Sequence, residues 1–110
     1  MIFNIKDANK TSQEGFTAYV YNSKDDYPTL NTVYVDCFKG HEKVYVKTSH
    51  RVYFVIEGEG IFNINGKESS VKEKDVIVIE PMMEYFYQGK MKLFEVNYPA
   101  TGEEDEVRAE

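Results

Sequence analysis

Apolar and polar residues alternate in short runs along this chain, and Gly, Pro, Asn and Asp break the runs. A period of two between turn-forming residues is the pattern of β-strands. It predicts strands at Phe16–Tyr21, Asn31–Phe38, Glu42–Lys47, Arg51–Ile56, Gly60–Asn65, Lys67–Val71, Asp75–Ile79, Glu84–Tyr87 and Lys92–Tyr98. No segment sustains a 3.6-residue period, and the one helical expectation is a short piece near Lys6–Lys10. Asn65-Gly66 predicts a two-residue hairpin turn, because both residues accept positive φ. Gln88-Gly89-Lys90 reads as a second hairpin turn. Many short strands with closely spaced turns favour a barrel or a sandwich.

Two of the runs fail to alternate. In Arg51–Ile56, Val52, Phe54 and Ile56 lie on one face and Tyr53 and Val55 on the other. The run Asp75–Ile79 is also apolar on both faces. An antiparallel strand with one wet face should alternate, so these two are expected to be covered twice. One cover is the barrel interior; the other is a second copy of the chain, giving a homodimer by sheet packing.

Length and charge narrow the class. The 110 residues suffice for one domain, expected over 1–100. Nineteen acids against thirteen bases give a net charge of -6, which argues against nucleic acid or an anionic membrane as partner. Residues 101–110 hold five of the acids and one base, and read as a solvated, disordered tail. No apolar run is long enough for a membrane helix, and the start lacks the pattern of a signal peptide. A single cysteine, Cys37, excludes an internal disulfide. The expected setting is cytoplasmic. No Gly-x-Ser-x-Gly and no phosphate-cradling glycine loop is present.

The stretch from Arg51 to Gly60, Arg-Val-Tyr-Phe-Val-Ile-Glu-Gly-Glu-Gly, followed by Ile61 to Gly66, resembles the first conserved motif of the cupins. Lys74 to Pro81, followed by Met-Met-Glu-Tyr-Phe-Tyr, resembles the second. The resemblance covers residues 35–98 and implies an all-β fold, a double-stranded β-helix or jelly-roll barrel of one cupin-like domain. Metal-binding cupins use His-x-His, a glutamate, and a last histidine in the second motif. In this chain the glutamate position holds Arg51 and the last histidine position holds Tyr85. The His-x-His positions fall on Val44 and Val46, or on Tyr45 and Lys47, according to loop length. The resemblance therefore implies no metal in the usual site, and no cofactor is expected. His41 and His50, with Glu42, Glu84 or Cys37, are the fallback metal ligands.

The same positions define a candidate pocket. Arg51 and Tyr53 share one strand face, and Tyr85 and Tyr87 share another. Together with Tyr45 and Lys47 they form the expected ligand-binding set. A guanidinium binds anions, and tyrosine rings pack on flat ligand faces. The first functional expectation is a metal-free protein that binds a small ligand, anionic or carbohydrate. The alternative is a metal-independent isomerase or epimerase on a sugar derivative, with Tyr85 as acid or base and Arg51 as anion holder. A metal-dependent oxygenase or isomerase with unusual ligands ranks third.

Overall fold

Most of the predicted runs fold as strands, but two pairs of them fuse into long ones. The structure is a computed structural model that describes residues 1–109. Its strands are β1 (Asn9–Ser12), β2 (Phe16–Val20), β3 (Asn31–Cys37), β4 (Gly40–Val46), β5 (His50–Ile64), β6 (Lys67–Lys72), β7 (Val76–Ile79), β8 (Tyr85–Tyr98) and β9 (Glu106–Arg108). The helical content among the described residues is two 3₁₀ turns, Ile5–Asp7 and Glu103–Asp105. The expected helix at Lys6–Lys10 is thus a single turn that gives way to β1, which pairs with β2.

β5 and β8 form the spine. They pair antiparallel from His50↔Tyr98 to Ile64↔Tyr85, with an irregularity between Val55 and Glu57. β3 and β4 take successive lengths of the other edge of β8, while β7 and β6 take successive lengths of β5. All nine strands belong to one sheet, which curls into a cupin-like β-barrel. Inward residues alternate along each strand, as in β3, where Asn31, Val33, Val35 and Cys37 are all buried. Val44, Val55, Phe62, Ile79 and Leu93 fill the core around them.

The predicted Asn65-Gly66 turn closes the β5–β6 hairpin, with φ 49° and 87° at its two residues. The predicted turn at Gln88-Gly89-Lys90 does not form, and β8 runs straight through it. Gly89 instead lies opposite Gly60 in the spine, at φ 135°. A Cβ on Gly89 would stand 2.6 Å from the Gly60 Cα. The glycine serves close approach of two bent strands, not a reversal.

Residues 101–109 are not the solvated tail that their charge suggested. Thr101 is buried, and its N–H donates to Asn31 Oδ1. β9 then pairs with β4 in the register Val44↔Arg108, Tyr45↔Val107 and Val46↔Glu106. Lys24 reaches Glu104 at 3.3 Å and Asp105 at 2.9 Å, so these two acids of the segment share a cation. No helix among the described residues is long and apolar enough to cross a membrane.

Candidate functional site

Alternation along β5 and β8 sends Arg51 and Tyr53 inward from one strand and Tyr85, Tyr87, Glu95 and Asn97 inward from the other. The Arg51 guanidinium is engaged through Nε and Nη1. Its Nε donates to Asn97 Oδ1 at 2.5 Å and lies 3.3 Å from Glu95 Oε2. Its Nη1 donates to the Tyr85 hydroxyl at 2.8 Å and to Glu106 Oε2 at 2.9 Å. Burial works against the charge, but Glu95, Tyr85, Tyr53 and Glu106 outweigh it and hold the group firmly protonated. Arg51 therefore meets the smaller cavity already paired, not as the unmatched cation that the sequence led one to expect. Two carboxylates already match its charge.

Tyr85 is also committed. Its hydroxyl accepts from Arg51 and lies 2.6 Å from the Tyr53 hydroxyl. Burial pushes it up to about 12, against the opposing pull of Arg51. At neutral pH it holds its proton, so it does not suit the role of general base. Tyr53 and Tyr87 are raised in the same direction, again chiefly by burial. Tyr87 differs in one respect: its hydroxyl is buried with no hydrogen-bond partner. A phenol left unpaired inside a barrel costs free energy unless something else bonds it.

The residue that sequence reasoning placed wrongly is His41. Near the start of β4, opposite Tyr87, it turns into the barrel. Its ring stacks on Phe16 at 4.8 Å and leans on Tyr87 at 5.3 Å and Tyr85 at 6.2 Å. Nδ1 lies 2.7 Å from the Glu42 carbonyl oxygen. A carbonyl only accepts, so Nδ1 carries the hydrogen, and in the neutral ring the lone pair is on Nε2. Nε2 faces Glu106 Oε1 at 3.7 Å. Glu106 thus stands between the imidazole and Arg51, with one oxygen toward each.

Two adjoining cavities open on this group, one of about 400 Å³ and one of about 760 Å³. Gln13, Phe16, His41, Tyr87, Glu103 and Glu106 line both. The smaller has an apolar wall of Phe16, Ala18, Val20, Val33 and Val35, facing Arg51, Glu95 and Asn97. Tyr45 and Lys47 line neither. β4 turns Val44 and Val46 inward and leaves Lys47 exposed.

The side chains that turn inward at the positions expected for ligands are Val44, Val46, Arg51 and Tyr85. Valine has no lone pair, and a guanidinium repels a cation, so these residues do not fit a metal. Among the described residues no group of three or more His, Cys, Asp or Glu side chains could hold one elsewhere. The fallback pair does not meet: His41 lies opposite Tyr87 and the exposed His50 opposite Tyr98, toward the two ends of β8. Cys37 is buried, its thiol donates to the Gly89 carbonyl, and burial pushes it up to about 11, so it is no nucleophile.

No family model matches the sequence, and no curated protein matches it either. Solved structures do. The chain superposes on Pac13 from Streptomyces, a nucleoside dehydratase, with a TM-score of 0.90 at 24% identity, over 99% of this chain and 90% of that one. Pac13 is also known with uridine in three variants, one with histidine changed to glutamine and two with a tyrosine changed to phenylalanine. Ectoine synthase from P. lautus follows with a TM-score of 0.81 at 12% identity, over 100% of this chain and 90% of that one. KdgF from Halomonas has a TM-score of 0.76 at 12% identity, over 94% and 96%. At these identities the likeness establishes a cupin-like fold.

Proposed function

We propose that this chain is a metal-independent enzyme that binds a nucleoside- or sugar-like molecule in the barrel and moves a proton on it, with His41 as the acid–base group. One observation carries the reading. His41 lines both cavities with Nε2 turned toward Glu106, and its ring packs on Tyr87, whose buried hydroxyl has no partner. A base with an accessible lone pair and a hydroxyl donor next to it are the minimum for abstracting one proton and steadying the charge that develops. Glu106 adds a carboxylate that favours the imidazolium once His41 has taken the proton. The apolar wall of Phe16, Ala18 and Val20 suits the flat face of a base or sugar, and the Asn31 amide N–H and the Thr101 hydroxyl offer hydrogen bonds to hydroxyls.

Pac13 supports this choice over the earlier candidate, Tyr85. The variants of that protein made with uridine change one histidine and two tyrosines. This barrel likewise joins one histidine to Tyr53 and Tyr87, whose rings pack 5.4 Å apart. Dehydration of a nucleoside is the reaction we favour: His41 takes a proton from carbon, a C=C bond forms as the neighbouring C–O bond breaks, and the imidazolium returns the proton to the departing hydroxyl, which leaves as water.

The test is binding of uridine, followed by mass spectrometry for loss of water from a panel of nucleosides and their oxidised derivatives. His41→Gln should reduce turnover by about 10²-fold or more while uridine still binds. A protein that ignores nucleosides, or a His41→Gln variant as active as the parent, would sink the reading. If His41→Gln changes affinity alone and no nucleoside is turned over, the protein is a binder and not an enzyme.

A further inference from the structure

We infer that the site selects uncharged nucleosides and rejects their phosphorylated forms; this rests on the nucleoside reading above and narrows its substrate class. Seven carboxylates and four cations line the two cavities, a balance of -3 with His41 neutral. None of the four cations is free. Arg51 is matched by Glu95 and Glu106, and Lys24 by Glu104 and Asp105. Lys39 lies 3.4 Å from Glu14, and Arg108 lies 2.9 Å from Glu42.

Nothing else in the barrel offers a phosphate a home. Phosphate sites are built from unmatched cations, from helix N-termini or from loops of free backbone N–H groups. The helical pieces among the described residues are three-residue turns. The turn nearest the mouth, Glu103–Asp105, is itself acidic, and the Gly102 N–H ahead of it is taken by Asp105 Oδ2. Glu106 and Glu95, inside the barrel, would face any dianion that entered. The one buried side-chain atom left without a partner among the described residues, the Tyr87 hydroxyl, is neutral and carries no charge to match a phosphate. A phosphate brings two negative charges into a negative enclosure with low-dielectric walls, where repulsion is screened poorly.

The experiment is calorimetric titration of the full chain with uridine and with uridine 5′-monophosphate, at low and at high salt. Uridine should bind at least tenfold more tightly at low salt, and added salt should narrow the gap by screening the repulsion. Glu103→Lys, at the exposed mouth, should narrow it further. Equal or tighter binding of the monophosphate overturns the inference and leaves the nucleoside reading intact. A gap that neither salt nor Glu103→Lys alters overturns the electrostatic cause. Failure of both ligands to bind removes the nucleoside reading, and the inference with it.

Discussion

At the scale of the residue, the barrel interior is a chain of phenols gathered around one matched cation. Tyr53, Tyr85 and Tyr87 are fully buried and all raised by that burial, Tyr85 up to about 12. An unfolded tyrosine ionises near 10. Between these values the unfolded chain releases protons that the folded chain keeps, so stability must fall as pH rises. The contribution of neutral burial is fully present below about pH 10 and is lost through pH 12. Each such phenol steepens the fall by up to about 1.4 kcal/mol per pH unit. Urea unfolding between pH 8 and 11.5 should show this decline, and tyrosinate absorbance should lag for three of the nine tyrosines until the chain unfolds. All nine ionising together near pH 10 in the folded state would contradict it. Sequence reasoning reached these phenols because a strand period fixes which residues share a face. It could not reach His41 or Glu106. A lone histidine beside a strand start looks like any surface histidine, and Glu106 sits among acids whose partners, Arg51 and Lys24, are distant in the chain.

At the scale of the element, the decisive feature is the crossing of β5 and β8. Gly60 and Gly89 face each other there, and a Cβ on Gly89 would also stand 2.7 Å from the Glu59 carbonyl oxygen. Gly89→Ala should therefore cost about 3 kcal/mol or more, from strained φ and backbone collision together. Gly66→Ala is the control. Gly66 also has positive φ, at 87°, but no heavy atom lies within 4 Å of its added Cβ. It should lose only about 1 kcal/mol, the conformational part. Denaturant midpoints of the two variants decide whether the glycine pair or φ alone matters. The same pair explains what was legible here. Asn65-Gly66 announces its turn because two adjacent residues both need positive φ. Gly89 carries the same local signal for a different reason, contact with a strand 29 residues away in sequence, which no local pattern encodes. β9 was hidden likewise: its three residues gain their place from pairing with β4, not from any period of their own.

At the scale of the whole molecule, the outer face remains to be accounted for. Val52 and Phe54 on β5 lie beside Val78 and Val76 on β7, and beside Val96 and Phe94 on β8. Phe94 in turn faces Tyr34 on β3. The result is a contiguous apolar face across four strands, with Val76 60% exposed, Val78 53%, Ile56 44% and Phe54 40%. Scattered exposed apolar residues are ordinary, but a continuous patch on a sheet is a site of association. Its charge is low, whereas the rest of the chain carries enough acid to keep copies apart. A second copy is the occupant expected from the sequence, and two such faces would bury each other about a two-fold axis. The expected mass by light scattering is twice 12.8 kDa at micromolar concentration. Phe54→Lys with Val76→Lys places two charges per copy in that interface and should give a folded monomer with the same circular dichroism. The inner site faces the opposite side of β5, so uridine binding should survive the change. A parent protein that stays at 12.8 kDa at high concentration would leave this face without its partner, and the double apolar pattern of Arg51–Ile56 without its explanation.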